Sequence, residues 1–83
     1  MRLLYFAWVR EKIGAAEEAV DPPAAVATVA QLIDWLEGQG DRYREAFADR
    51  ARLRAAVDQD FVAMDAPITG AREIAIFPPV TGG

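Results

Sequence analysis

Thr28 to Leu36 is the one stretch with a sustained helical period, and it restricts the chain to a fold in which one main helix covers one side of a sheet. Val29, Leu32, Ile33 and Leu36 recur at i, i+3, i+4 and i+7, forming a single apolar stripe with Trp35 at its border. Thr28 and Gln31 have the spacing of a capping box, each side chain serving a backbone donor at the helix start. Gly38 and Gly40 are expected to supply a left-handed stop. Asp41 is then expected to cap a second, shorter helix through about Asp49, with Tyr43 and Phe47 one turn apart.

The flanking segments read as strands. Leu3 to Val9 is a continuous apolar run, with Leu3, Tyr5, Ala7 and Val9 on one face and Leu4, Phe6 and Trp8 on the other. Arg10 to Gly14 breaks that run as a short helical turn closed by Gly14. Residues 16–20 form a second strand paired back as a hairpin, which Asp21-Pro22-Pro23 ends. Leu53 to Asp58 sets Leu53, Ala55 and Val57 against Arg54, Ala56 and Asp58, a half-buried strand. Asp58-Gln59-Asp60 turns into a short strand at Phe61 to Met64, and Asp65 to Ala71 is a loop. In the last strand, Arg72 to Phe77, Ile74 and Ile76 share one face and Ala75 and Phe77 the other.

This order predicts a two-layer α+β domain. Leu3, Tyr5, Ala7, Val57, Ile74 and Ile76 should pack against the helix stripe. Phe6, Trp8, Phe61, Ala75 and Phe77 should lie on the opposite face, uncovered unless the shorter helix folds over them. An aromatic patch of that kind marks a protein partner.

The last strand runs directly into Pro78-Pro79-Val80-Thr81-Gly82-Gly83. Two prolines fix φ and remove two backbone donors, so the chain leaves the sheet as a stiff spacer. Gly82 and Gly83 lack Cβ atoms and can thread a channel too narrow for other residues, ending in a carboxylate. The domain is therefore taken as residues 1–77, with 78–83 as an extended tail.

The 83 residues contain no cysteine and no histidine. That excludes a disulfide framework, a Cys/His zinc site, a cysteine nucleophile and histidine acid–base catalysis. No metal site is expected, and the α-carboxylate of Gly83 becomes the most distinctive reactive group. The net charge of −4, with no basic cluster beside exposed aromatics, argues against nucleic acid. No apolar run approaches the roughly 20 residues of a membrane helix. The early apolar run is too short for a signal peptide, so a cytoplasmic location is the default expectation.

Three stretches resemble a known family, the small subunit of molybdopterin synthase, a ubiquitin-like β-grasp sulfur carrier. Phe6-Ala7-Trp8-Val9-Arg10-Glu11 with Gly14 is similar to the family's F-A-x-x-R-E-x-x-G, and Leu53 to Asp58 to its strand ending in Val-Asn. Phe77-Pro78-Pro79-Val80-Thr81-Gly82-Gly83 matches its F-P-P-V-[ST]-G-G terminus throughout. Asp58 in place of Asn, and Thr69-Gly70-Ala71-Arg72 in place of a D-G-D-type turn, are departures from the pattern.

The resemblance implies a β-grasp fold, a mixed sheet of four to five strands on one main helix plus a short helix. It also implies a carrier that is not catalytic alone and binds no cofactor. An E1-like enzyme would use ATP to adenylate Gly83, a persulfide donor would convert it to a thiocarboxylate, and the large synthase subunit would direct the sulfur to cyclic pyranopterin monophosphate. The family's assembly is a heterotetramer. Gly83 and Gly82 carry the chemistry in that scheme; Phe6, Arg10, Phe61 and Phe77 meet the partners, with Pro78, Pro79, Val80 and Thr81 entering the channel. Arg10 also reads as a solvated charge, and Arg42, Arg44, Arg50, Arg52 and Arg54 as solvated charges among acids. The alternatives are a β-grasp carrier for thiamine thiazole, tRNA thiolation or cysteine synthesis, and an interaction module with an inert tail. A protein modifier is a further one, limited in chain-building by Lys12 being the only lysine.

Overall fold

The computed structural model describes residues 1–79. Strand β1 (Arg2–Tyr5) leads into helix α1 (Ala7–Ile13) and then strand β2 (Glu17–Ala19). Helices α2 (Val29–Glu37) and α3 (Asp41–Ala46) follow, then a 3₁₀ turn at Arg50–Arg52 and strands β3 (Arg54–Val57), β4 (Asp60–Val62) and β5 (Glu73–Phe77). The five strands form one mixed sheet in the order β2-β1-β5-β3-β4. β1 and β5 run parallel, with Leu3 opposite Ile74 and Tyr5 opposite Ile76. The other pairs are antiparallel. This is an α+β arrangement with helices on one face, as the single stripe of α2 requires.

Helix α2 begins as its sequence predicts. The Thr28 hydroxyl accepts from the Gln31 amide at 3.2 Å, and the Gln31 side chain reaches back to the Ala27 amide at 2.7 Å. Two further first-turn donors, Val29 and Ala30, are satisfied by the carbonyls of Ala66 and Met64. The 65–71 loop is thereby sewn to the helix start, and Ile68 is buried beneath it. Val29, Leu32, Ile33 and Leu36 are all buried with Leu3, Tyr5, Ile74 and Ile76 in one core.

The run Leu3 to Val9 is not one strand. β1 stops at Tyr5, Ala7 turns the corner with φ of 53°, and Ala7 to Ile13 is helical. Val9 and Ile13, one turn apart, are the buried side of α1. Gly14 ends it with φ of 86°, a left-handed stop that suits glycine. Ala7 therefore leaves the expected core face and is exposed, and Trp8 leaves the aromatic face. The Trp8 ring instead has the Lys12 ammonium 5.8 Å and the Arg52 guanidinium 5.9 Å from its centre.

Three smaller expectations also give way. Gly38 has φ of −74°, and Gly40 is extended at φ of 162°, so neither is a left-handed stop. Gly40, not Asp41, is the cap residue of α3; Asp41 sits in the first turn and pairs with Arg44. The helix also ends at Ala46 rather than near Asp49.

The α3 helix packs beside α1 and α2, on the covered side of the sheet. Tyr43 and Phe47 stack there with centroids 6.4 Å apart. The Tyr43 hydroxyl donates to the Glu18 carboxylate at 2.7 Å, tying α3 to the edge strand β2, and Arg42 joins the same carboxylate at 3.3 Å. Burial, ahead of the neighbouring Glu18 charge, raises the pKa of Tyr5; burial likewise raises that of Tyr43.

Candidate functional site

The face of the sheet away from the helices carries the candidate site. Its centre is a cross-strand row: Leu4 of β1 opposite Ala75 of β5, Ala75 opposite Ala56 of β3, and Ala56 opposite Phe61 of β4. The period-2 alternation that buries Leu3, Tyr5, Ala55, Ile74 and Ile76 on one face necessarily turns these residues to the other. Small alanines in the middle strands leave a shallow floor between larger walls. The resulting open groove has a volume of about 590 Å³ and is bounded by Phe6, Phe61, Phe77, Pro78 and Pro79.

The three phenylalanines named from the sequence come together here. Phe77 is central, edge-on to Phe6 at 6.4 Å between centroids and tilted against Phe61 at 5.7 Å. Phe6 is 48% exposed and Phe61 81% exposed, the only large hydrophobic side chains so exposed among the described residues. Leaving so much aromatic surface in water forgoes burial worth roughly 1.5–3 kcal/mol for a side chain such as Phe. No described element, α3 included, lies over this face, so the cover the shorter helix was to provide is absent.

The end of β5 sets where Pro78 and Pro79 leave the sheet. Phe77 is opposite Arg54 at the start of β3, and Ile76 opposite Tyr5 at the end of β1. Pro78 and Pro79 thus leave the sheet at the edge where Phe6 and Ala7 turn into α1, and both line the groove. Val80, Thr81, Gly82 and Gly83 lie outside the described residues. Arg10 stands apart from the groove, exposed on α1 and forming no ion pair with a described residue.

At the far end of the face Arg2 donates to Glu73 at 2.7 Å and lies 3.9 Å from Glu17. The Glu73 hydrogen bond holds the Arg2 guanidinium above its ordinary pKa. Apart from Arg54, opposite Phe77, the face is therefore apolar toward Pro78 and Pro79, and it is charged but paired away from them. Among the described residues no cluster of acidic side chains could hold a metal ion, and no helix is long and apolar enough to cross a membrane.

Sequence reasoning did not assign Leu4, Ala56 or Arg54 to the site. The signal for the first two was the same alternation that placed Leu3 and Ala55 in the core. Alternation also sets Arg54 on the face of Ala56, but its place beside Phe77 follows only from their register.

Molybdopterin synthase sulfur carrier subunits are similar to this chain over its full length. The Escherichia coli protein is 45% identical across 85 residues, covering 100% of this chain and 99% of the relative. The Haemophilus influenzae protein is 32% identical across 83 residues, with the same coverage. Among solved structures, SAMP1 from Haloferax volcanii superposes with a TM-score of 0.72 at 26% identity, covering 100% of this chain and 98% of that one. A second structure, of the H. volcanii small archaeal modifier protein 1, gives 0.68 at 25% identity, covering 96% and 97%. These neighbours carry the ubiquitin-like β-grasp fold that the strand order displays. The ThiS family model matches residues 3–83, and with relatives 45% and 32% identical along the whole chain, the chain belongs to the ThiS family.

Proposed function

We propose that this protein is the sulfur carrier subunit of a molybdopterin synthase, working through the terminal carboxylate of Gly83. The observation that carries the reading is the exposed Phe6–Phe77–Phe61 cluster set against Pro78 and Pro79. A partner that covers the cluster receives the tail in one orientation. Two consecutive prolines stiffen the segment that leaves the sheet at low entropic cost, and the absence of side chains at Gly82-Gly83 suits an enclosed site.

A carboxylate is a poor electrophile. An E1-like enzyme adenylates Gly83: a carboxylate oxygen attacks the α-phosphorus of ATP and pyrophosphate leaves. Persulfide sulfur then attacks the acyl carbon and AMP leaves, giving an acyl disulfide. A thiol attacks the donor-side sulfur, forms a new disulfide with the donor and releases the thiocarboxylate, which the large subunit receives for transfer to cyclic pyranopterin monophosphate. The chain's own residues bind, orient and present; its side chains supply no nucleophilic cysteine or histidine base.

The test is the intact mass after incubation with ATP, the activating enzyme and a sulfur donor. Replacement of one oxygen by sulfur at Gly83 is the expected result. An unchanged mass with a demonstrably competent enzyme would leave only a binding module. The likeness to a small archaeal modifier supports a second reading, attachment of Gly83 to lysines of other proteins. Conjugates of higher mass in place of the thiocarboxylate would favour it.

A further inference from the structure

Among the described residues Arg54 is the one charged side chain on the apolar end of the open face, and none of them neutralises it. Its Cα is paired with that of Phe77, and its side chain lines a small cleft of 220 Å³ with Phe61, Val62 and Phe77. The guanidinium donates to the carbonyls of Ala51 at 3.0 Å and Leu53 at 2.8 Å, and forms no ion pair with a described carboxylate. Carbonyl oxygens orient a guanidinium but carry no opposing net charge. Arg2, on the same face, differs in having both Glu73 and Glu17.

A partner that covers Phe61 and Phe77 also covers Arg54, because the three line one cleft. Removing a guanidinium from water without a counter-charge is strongly unfavourable, and its planar fork is matched best by a carboxylate. Resting on the reading proposed above, we infer that the large subunit of the synthase carries an Asp or Glu seated against Arg54, beside the point where the tail enters. An apolar patch alone tolerates sliding, whereas one charge pair at its edge fixes register and rejects partners that lack the acid. Arg54 is thus a specificity-determining residue.

The test measures binding of the full chain to the large subunit from the same organism, at two salt concentrations. Variants Arg54→Met, Arg54→Glu and Phe77→Ala are compared, with melting temperatures as a check on folding. Expected are a loss of about tenfold for Arg54→Met and about 100-fold or more for Arg54→Glu, without loss of the fold. Reversing one acidic residue of the large subunit to Lys should recover at least about tenfold of the Arg54→Glu loss. Affinity within about twofold for both Arg54 variants, while Phe77→Ala weakens binding, would overturn the Arg54 pairing and leave the proposed function standing. If Phe77→Ala is also silent, the proposed use of this face fails with it. Loss confined to the adenylation step, or loss that no acid reversal recovers, would equally overturn the pairing.

Discussion

The Asp58 carboxylate accepts both the Arg72 and the Glu73 amides through one oxygen, each at 3.0 Å, and so locks the β3–β4 turn to the start of β5. Asp58 and Gln59 occupy the turn with φ of 48° and 76°, the pair of positive values that a two-residue hairpin of this hand needs. An Asp here does the work of the Asn that the resembled family favours, because either side chain offers an oxygen and tolerates the left-handed region.

Asp58→Ala should therefore cost about 1 kcal/mol or more, since two amides lose their acceptor and a left-handed residue loses its local bonding. Asp58→Asn should stay within about 0.5 kcal/mol of the parent. Urea unfolding of both variants checks this. Equal midpoints for Ala and the parent would show that water serves the two amides just as well.

Phe61 and Leu32 are large apolar residues that should behave in opposite ways. Leu32 is fully buried, so Leu32→Ala should lower stability by about 2–5 kcal/mol. Phe61 is 81% exposed, so Phe61→Ala should change stability by no more than about 0.5 kcal/mol. The same change should weaken large-subunit binding by about 2 kcal/mol or more if the aromatic cluster is the anchor. Paired thermal melts and calorimetric titrations separate the two effects. A destabilised Phe61→Ala with normal binding would place the ring in the fold rather than the interface.

The two tyrosines should resist ionisation. Tyr5 and Tyr43 are both buried and their pKa values lie above the ordinary 10.0, chiefly through burial. A raised folded-state pKa means the neutral phenol favours the native state. Its contribution is complete below the unfolded value near 10 and is lost as pH climbs from there toward the folded value. Phenolate absorbance should thus appear together with loss of near-UV circular dichroism on alkaline titration. A tyrosine that ionises near pH 10 in a still-folded chain would contradict the burial.

Much of this protein is decided by its sequence alone. The stripe and cap of α2, the Gly14 stop, the alternation of β5 and the proline-stiffened Gly-Gly tail are local in origin. Each follows from side-chain period or backbone freedom within a few residues. The aromatic face was legible as well, because alternation must send Phe61 and Phe77 away from Ile74 and Ile76.

Only the tertiary structure decided the fate of Ala7, Trp8 and Val9. A continuous apolar run fits a buried strand as well as a buried helix. The spacing of Val9 and Ile13, followed by Gly14, was the one helical hint. What settles the choice is pairing. β1 lies between β2 and β5, its last pair is Tyr5 with Ile76, and beyond it the chain turns at Ala7 so that Val9 and Ile13 can bury against the core. The same is true of Arg54. Its sequence neighbours suggest a solvated charge, and only the register that sets it opposite Phe77 makes it part of the site, because strand pairing joins residues that the sequence keeps far apart.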